Sequence, residues 1–371
     1  MARVIDADSH FMEPLDLYER YIEPKFRARC LRYERDAKTG EHFTLIEDQR
    51  RPLNLKEMAI ATGYGEKELG AGLGSLDTSK VFSGELVDMD KRIEFLDREG
   101  IESQFIYPTL GIIWEGYVAD PELAAAHCRA YNRWTIEVCA KHRARLFPLG
   151  HISLRNPSAA IKELERLAND GVRGAFVGAM ALEGKSLGSR DYDPVWDAAQ
   201  ALDMPIGLHL VINPHYVGHD WHTDSDPGFM FFSMNVIQDA RMALTTMVYD
   251  GVFERFPRLR VATIEAGSGW VAEWLDRFQY RYSYMGHTTA MKRPPGEYFA
   301  RNIWISADPE ERLLPYMIDL LGDDKFFIGS DYPHAEGFVD PINNARRNLA
   351  KFPRLTVDKV LGENAAGFFG I

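Results

Sequence analysis

Asp6, Asp8 and His10 stand at alternate positions in the run Ile5-Asp6-Ala7-Asp8-Ser9-His10. Alternate side chains of a strand share one face, so two carboxylates and an imidazole rise together along the first apolar segment of the chain. By itself the pattern also fits an ordinary N-terminal strand with a capping aspartate and a surface histidine. Three further positions change the balance: His209 closes a fifth apolar segment, Glu265 closes a sixth, and Asp331 directly follows an eighth. Burying such groups without partners costs several kcal/mol each, and a divalent cation removes that cost. Asp8, His10, His209, Glu265 and Asp331 are therefore the candidate ligands. Imidazole suits zinc, iron or nickel and carboxylates suit harder ions, so this set is richer in oxygen than most zinc sites. Asp331, Glu265 and His334, which follows Asp331 by one short turn, are the candidate catalytic groups; His334 fits equally well as a cap on its own loop.

These residues lie far apart in sequence, and what brings them together has to be a regular scaffold. Short apolar runs alternate with amphipathic stretches over nearly the whole chain, the pattern of a parallel sheet with crossover helices. Strands are predicted at Arg3 to Asp8, Ser103 to Tyr107, Leu146 to His151, Val172 to Val177, Pro205 to Leu210, Arg260 to Glu265, Asn302 to Ser306 and Lys325 to Ser330. Helices are predicted over about Leu86 to Glu99, Pro121 to His142, Pro157 to Asn169, Pro194 to Leu202, Phe231 to Tyr249, Trp270 to Tyr284, Glu310 to Leu321 and Pro341 to Ala350. Asp120-Pro121, Asn156-Pro157, Asp193-Pro194 and Asp340-Pro341 read as N-caps followed by proline, and Gly100, Gly171 and Gly322 as left-handed C-terminal residues. The expectation is one α/β domain over 1–371, a single (β/α)8 TIM barrel, whose strand ends at one mouth converge in space. Two insertions interrupt the repeat. Residues 23–85 contain a hairpin, Cys30 to Asp36 against His42 to Asp48, and then a stretch rich in glycine that matches no phosphate-binding pattern. Residues 213–230 form a loop holding His215, His219, Trp221 and His222.

Bulk properties narrow the function classes. The chain has 371 residues, a formal charge of −12 and 46% apolar residues. An acidic protein is not expected to bind nucleic acid or an anionic membrane. Cys30, Cys128 and Cys139 suggest neither disulfides nor a thiolate zinc site, and no leader or membrane span is read, so a cytoplasmic enzyme with a small-molecule substrate is expected, as a homodimer or higher homo-oligomer.

The run Ile5 to His10, the strand end Gly207-Leu208-His209, the run Phe327-Ile328-Gly329-Ser330-Asp331-Tyr332-Pro333-His334 and the closing Glu363-Asn364-Ala365-Ala366 resemble the amidohydrolase-related group that includes aminocarboxymuconate-semialdehyde decarboxylase. The resemblance implies a barrel with a divalent metal, zinc first by family and manganese or iron next, performing hydrolysis or non-oxidative decarboxylation. Asp8 and His10 match the first-strand ligand pair, more often HxH, His209 the fifth-strand ligand, and Asp331 the aspartate that binds metal or handles a proton. Asp8 and Glu265 depart from the pattern at places where many relatives have histidine.

Two other readings stand beside this one. Two iron ions, with His151, His215, His219 and His334 completing a second coordination sphere, would suit a monooxygenase acting on a thioester-linked substrate; this too is implied by a related branch of the barrel group. A barrel that binds metal without catalysis is the other, disfavoured because a scaffold would gain stability by replacing buried charges with apolar residues. Trp114, Tyr117, Trp221 and Phe229 to Phe232 would line an apolar pocket or pack a helix start. No arginine is assigned as a clamp for a substrate carboxylate, although Arg50 and Arg51 lie in the first insertion.

Overall fold

The computed structural model describes residues 3–39, 41–53, 87–215, 218, 224, 231–334, 337 and 340–371. The first strand, β1 (Ile5–His10), is buried along its whole length. An antiparallel sheet follows, with β2 (Arg32–Arg35), β3 (His42–Ile46) and β4 (Gln49–Leu53) in that order. The predicted hairpin is present with Arg35 opposite His42, and its turn is held by the Asp36 carboxylate, which accepts from Lys38 N at 2.8 Å and Thr39 N at 3.0 Å. β4 is a strand beyond those predicted, pairing along β3 from Gln49 to Leu53. The glycine-rich stretch beyond it lies outside the described residues.

The parallel strands resume with β5 (Ser103–Tyr107), β6 (Leu146–Pro148), β7 (Gly150–His151), β8 (Ala175–Gly178), β9 (Ile206–His209), β10 (Val261–Thr263), β11 (Ile303–Ala307) and β12 (Phe326–Ile328). Each predicted barrel strand is found, β6 and β7 being one run interrupted at Leu149. β6 pairs with β5 and β7 pairs with β8, so this run carries the sheet round from β1 to β12. The last and first strands meet just past their ends, where Asp331 N donates to Asp8 O at 2.9 Å and His10 N to Tyr332 O at 2.6 Å. The fold is the α/β TIM barrel expected.

Helices cross between the strands. Asp120 and Asn156 cap as predicted, the Asp120 side chain accepting from Glu122 N and Leu123 N and the Asn156 side chain from Ala159 N. The other two predicted caps are corrected. Asp193 is already helical and its carboxylate is taken by Arg255 at 2.7 Å, whereas Asp340 has a φ of 56° and turns its side chain to Asn343. A competing cation and a left-handed backbone, respectively, draw these carboxylates away from the helix ends. Gly100 takes the predicted left-handed conformation, with φ 71°.

The end of the barrel opposite the strand termini is filled by aromatic rings. Phe369, in the helix Asn364–Phe369, stacks on Phe105 with ring centroids 3.6 Å apart, and Phe368 lies against Phe327 at 5.6 Å. Dispersion and apolar burial thus close that mouth. The polar strand ends gather at the other.

Candidate metal centre

A shift of register between Asp6 and Ser9 opposite β5 decides which residues of β1 reach the mouth. A bulge of this kind breaks the alternation of faces. Asp6 consequently does not join Asp8 and His10. Its carboxylate accepts from Gln104 Nε2 at 2.7 Å, Ser330 N at 2.8 Å and Ser330 Oγ at 2.6 Å, tying the first strand to its two neighbours. The expectation that all three side chains share a face is corrected. Arg92, fully buried, extends the network by donating to Gln104 Oε1 at 3.1 Å and to His10 O at 2.7 Å.

Asp8, His10, His209 and Glu265 offer ligand atoms that all lie within 4.8 Å of one another, and so do His10, Asp331 and His334. His10 Nε2 is 3.6 Å from Asp8 Oδ1 and 3.2 Å from Asp331 Oδ1, while His209 Nε2 is 3.4 Å from Glu265 Oε2. The structure therefore brings together the candidate ligands Asp8, His10, His209, Glu265 and Asp331 and the candidate catalytic His334, in two groups that share His10.

Both imidazoles are oriented from behind. His10 Nδ1 donates to Pro108 O at 2.9 Å and His209 Nδ1 to Leu210 O at 2.7 Å. With the proton on Nδ1, each Nε2 presents a lone pair to the centre. Burial, with the neighbouring His334, pushes the His10 pKa down to about 4, and burial together with His10 puts that of His209 well below the usual range, so both rings stay neutral. His10 Nε2, His209 Nε2 and Asp8 Oδ1 are buried and have no hydrogen-bond partner among the described residues. Three converging buried acceptors of this kind are what a divalent cation fits.

Charge on the carboxylates points the same way. Burial, then the charges of Asp331, Asp6 and Asp308, raise the Asp8 carboxyl well above its ordinary range. Burial acts to raise Asp331 also, but His334 and His10 outweigh it and hold this group well below the usual carboxylate range. Asp331 is thus ionised, with His334 Nδ1 at 2.7 Å from its Oδ1.

Two of the non-glycine residues with left-handed backbone lie at the same place. Glu265 has a φ of 55° and Asp331 a φ of 53°. Left-handed conformations cost a non-glycine residue about 1–3 kcal/mol at such sites. The use is visible at Glu265. Thr263 pairs with Leu208, so a straight continuation of β10 would put Glu265 on the face opposite His209; the left-handed turn brings its carboxylate inward instead.

The other sequence candidates fall elsewhere. His151 is engaged by Glu115, with Nε2 to Oε2 at 3.0 Å, and stacks on Phe176 at 4.3 Å; His215 is exposed. Neither belongs to the two ligand groups, and His219, Trp221 and His222 lie outside the described residues. Trp114 packs on His127 at 4.8 Å, a core role. Arg50 lies over Phe43 at 3.2 Å and Arg51 over Tyr117 at 3.8 Å, which docks the inserted sheet on the loop after β5. Four contributors were not read from the sequence: Glu13, Glu115, Arg155 and Asp308. Asp308 directly follows β11 and Asp331 comes three residues after β12, and that parallel was the available signal. The other three carry no periodic or motif signature.

Comparison with known proteins agrees with this geometry. The profile of the amidohydrolase family matches residues 5–371. The chain belongs to the amidohydrolase family. It is 25% identical over 288 residues to 2-amino-3-carboxymuconate-6-semialdehyde decarboxylase of Dictyostelium discoideum, covering 76% of this chain and 77% of that protein. It is 26% identical over 307 residues to gamma-resorcylate decarboxylase of Rhizobium sp. (strain MTP-10005), covering 76% and 90% respectively. Among solved structures, an amidohydrolase from Mycobacterium avium subsp. paratuberculosis K-10 superposes with a TM-score of 0.85 at 26% identity, over 100% of this chain and 98% of that one. This amidohydrolase is accordingly an enzyme of the metal-dependent hydrolase or carboxy-lyase type. No helix among its described residues is long and apolar enough to cross a membrane.

Proposed function

We propose that this amidohydrolase, acting as one catalytic unit, removes carbon dioxide from a small aromatic carboxylate without oxidation. The observation that carries the reading is the meeting of Asp8, His10, His209, Glu265 and Asp331 around buried, converging acceptor atoms, in a chain whose curated relatives are decarboxylases. Asp8, His10, His209, Glu265 and Asp331 would hold the ion. When bound, it would polarise the carboxylate and an adjacent oxygen of the substrate. The carboxyl C–C bond then breaks, its electron pair stays on the ring carbon, and a proton must be delivered to that carbon. We assign the holding and delivery of this proton to His334, whose Nδ1 lies 2.7 Å from Oδ1 of the ionised Asp331. Arg155, in the loop after β7, is the cation we assign to the substrate carboxylate: its Nε is buried without a partner among the described residues, while its two Nη atoms reach Glu115 O at 3.2 Å and Glu183 Oε1 at 3.4 Å.

The two-iron reading is not favoured. His10 has a single open nitrogen, shared by both ligand groups, and His151 is committed to Glu115. The deciding experiment incubates the metal-loaded enzyme with hydroxybenzoates in D2O and follows them by NMR. Loss of the carboxyl group with one deuterium on the vacated carbon supports the proposal. Retention of the carboxyl group in every hydroxybenzoate, or release of a hydroxylated product that consumes dioxygen, overturns it.

A further inference from the structure

Glu13 is uninvolved in the chemistry above, yet its carboxylate is 1% exposed and accepts three backbone hydrogen bonds from a single turn. Thr109 N and Leu110 N donate to Oε2 at 3.0 Å each, and Gly111 N donates to Oε1 at 2.8 Å. The fit is close. A β-carbon on Gly111 would lie 3.1 Å from Glu13 Oε1 and 2.7 Å from Pro108 Cβ, so this grip on the turn requires glycine there. Burying a carboxylate is costly unless its lone pairs are satisfied, and here three fixed dipoles satisfy them.

The same turn is what the site histidines lean on. Pro108 O takes the Nδ1 proton of His10 at 2.9 Å, and Thr109 Oγ1 lies 3.0 Å from His334 Nε2. The two rings are stacked with centroids 4.0 Å apart at an interplanar angle of 30°. Asp331 Oδ1 bridges their other ends, 3.2 Å from His10 Nε2 and 2.7 Å from His334 Nδ1. Any displacement of residues 108–111 would therefore move both imidazoles together and change what Asp331 meets.

We infer that Glu13 is a positioning residue, which by gripping the 108–111 turn fixes the orientation of His10 and His334 at once. Thr109 is the part of the device that touches His334, and the Pro108 carbonyl the part that touches His10. Outer groups of this sort tune the affinity and aim of metal ligands although they never meet the ion. The inference concerning His10 rests on its assignment as a ligand; that concerning His334 does not.

The test uses the full chain and two readouts independent of turnover. Affinity for Mn2+ alone is measured by EPR of the free ion, and the rate of carbethoxylation of His334 by diethyl pyrocarbonate is followed by mass spectrometry. Glu13→Gln is expected to weaken Mn2+ binding by about 10- to 100-fold, the usual cost of losing an outer partner, and to speed labelling of His334. Thr109→Val should speed that labelling several-fold with Mn2+ affinity unchanged, and Thr109→Ser should return it to the original rate. A folded Glu13→Gln with a lower melting temperature but unaltered Mn2+ affinity and labelling would make Glu13 a loop anchor only, overturning the inference. Should Glu13→Gln fail to fold, the Thr109 pair decides: labelling of His334 unaffected by Val overturns it. Failure of the unaltered protein to bind Mn2+ would count against the metal assignment, and the labelling experiment would still decide on positioning.

Discussion

Gly329 and Asp8 face one another where the last strand meets the first, so closely that a β-carbon at 329 would lie 2.3 Å from Asp8 Cβ and 3.1 Å from Ser306 Oγ. The obstacle is a main-chain-attached atom, which cannot swing aside. Gly329→Ala is expected to cost about 1–3 kcal/mol of stability, the range for overpacking a filled interior, and to displace Asp8 enough to reduce metal content. Thermal denaturation and metal analysis on the same preparation check both. A variant with unchanged melting temperature and full metal content would show that the two strands separate freely at this point.

His209→Ala should abolish metal binding and leave the barrel folded. The ring is buried and its Nδ1 bond to Leu210 O is local, so its removal leaves a cavity with no long-range tie broken. Circular dichroism and metal content after dialysis provide the check. Full occupancy in this variant would mean that the fifth barrel strand supplies no ligand.

Glu265→Gln retains size and the left-handed backbone but removes the charge facing His209. Metal affinity should fall by more than the roughly 10- to 100-fold typical of an outer group. Glu265→His tests the departure from the family pattern, since histidine would replace a hard oxygen donor by a borderline nitrogen and shift preference from manganese toward zinc. Competition between the two ions, read by metal analysis, is the measurement; identical preference in both proteins would count against Glu265 as a ligand.

Arg155→Met should raise KM for an aromatic carboxylate by roughly 10-fold or more, as expected when a charged hydrogen bond worth about 1.5–3 kcal/mol is lost. The turnover number should change less, because the clamp holds ground and transition states alike. A variant whose KM is unaltered would leave the substrate carboxylate to other groups.

Away from the centre, His127 supplies a pH dependence of stability. Its Nδ1 donates to Leu123 O and its Nε2 accepts from Leu31 N at 3.0 Å, so the folded state needs the neutral ring. Burial, and to a smaller degree His151, lower its pKa from 6.5 to about 4. Between those values the unfolded chain binds the proton and the folded one does not, so this contribution to stability is complete above pH 6.5 and declines as pH falls toward 4. His127→Gln, which keeps a donor and an acceptor but does not titrate, should flatten that part of the curve of unfolding free energy against pH. Parallel curves for the two proteins would refute the assignment.

The scaffold was legible because it is periodic. Apolar runs such as Val261 to Ile264 and helix starts such as Asn156-Pro157 carry their geometry in local sequence, and the polar residue at each strand end could be read as soon as the strands were placed. What escaped is what depends on departures from regularity. Asp6 looked equivalent to Asp8 until the bulge separated them, and Glu265, though named as a ligand, reaches the centre through a backbone conformation that its residue type does not advertise. Glu13 escaped for a different reason: its partners are main-chain N–H groups, which have no side-chain signature in a sequence.

The hydrogen bond from Asp331 N to Asp8 O joins residues more than three hundred positions apart, at the seam between the first and last barrel strands. The whole stretch from Asp8 to Asp331 must leave the ribosome before these two residues can meet. Cation capture would thus report on completed assembly of the whole ring, and a half-made or wrongly threaded product would be left without the ion, marking itself as inactive during synthesis.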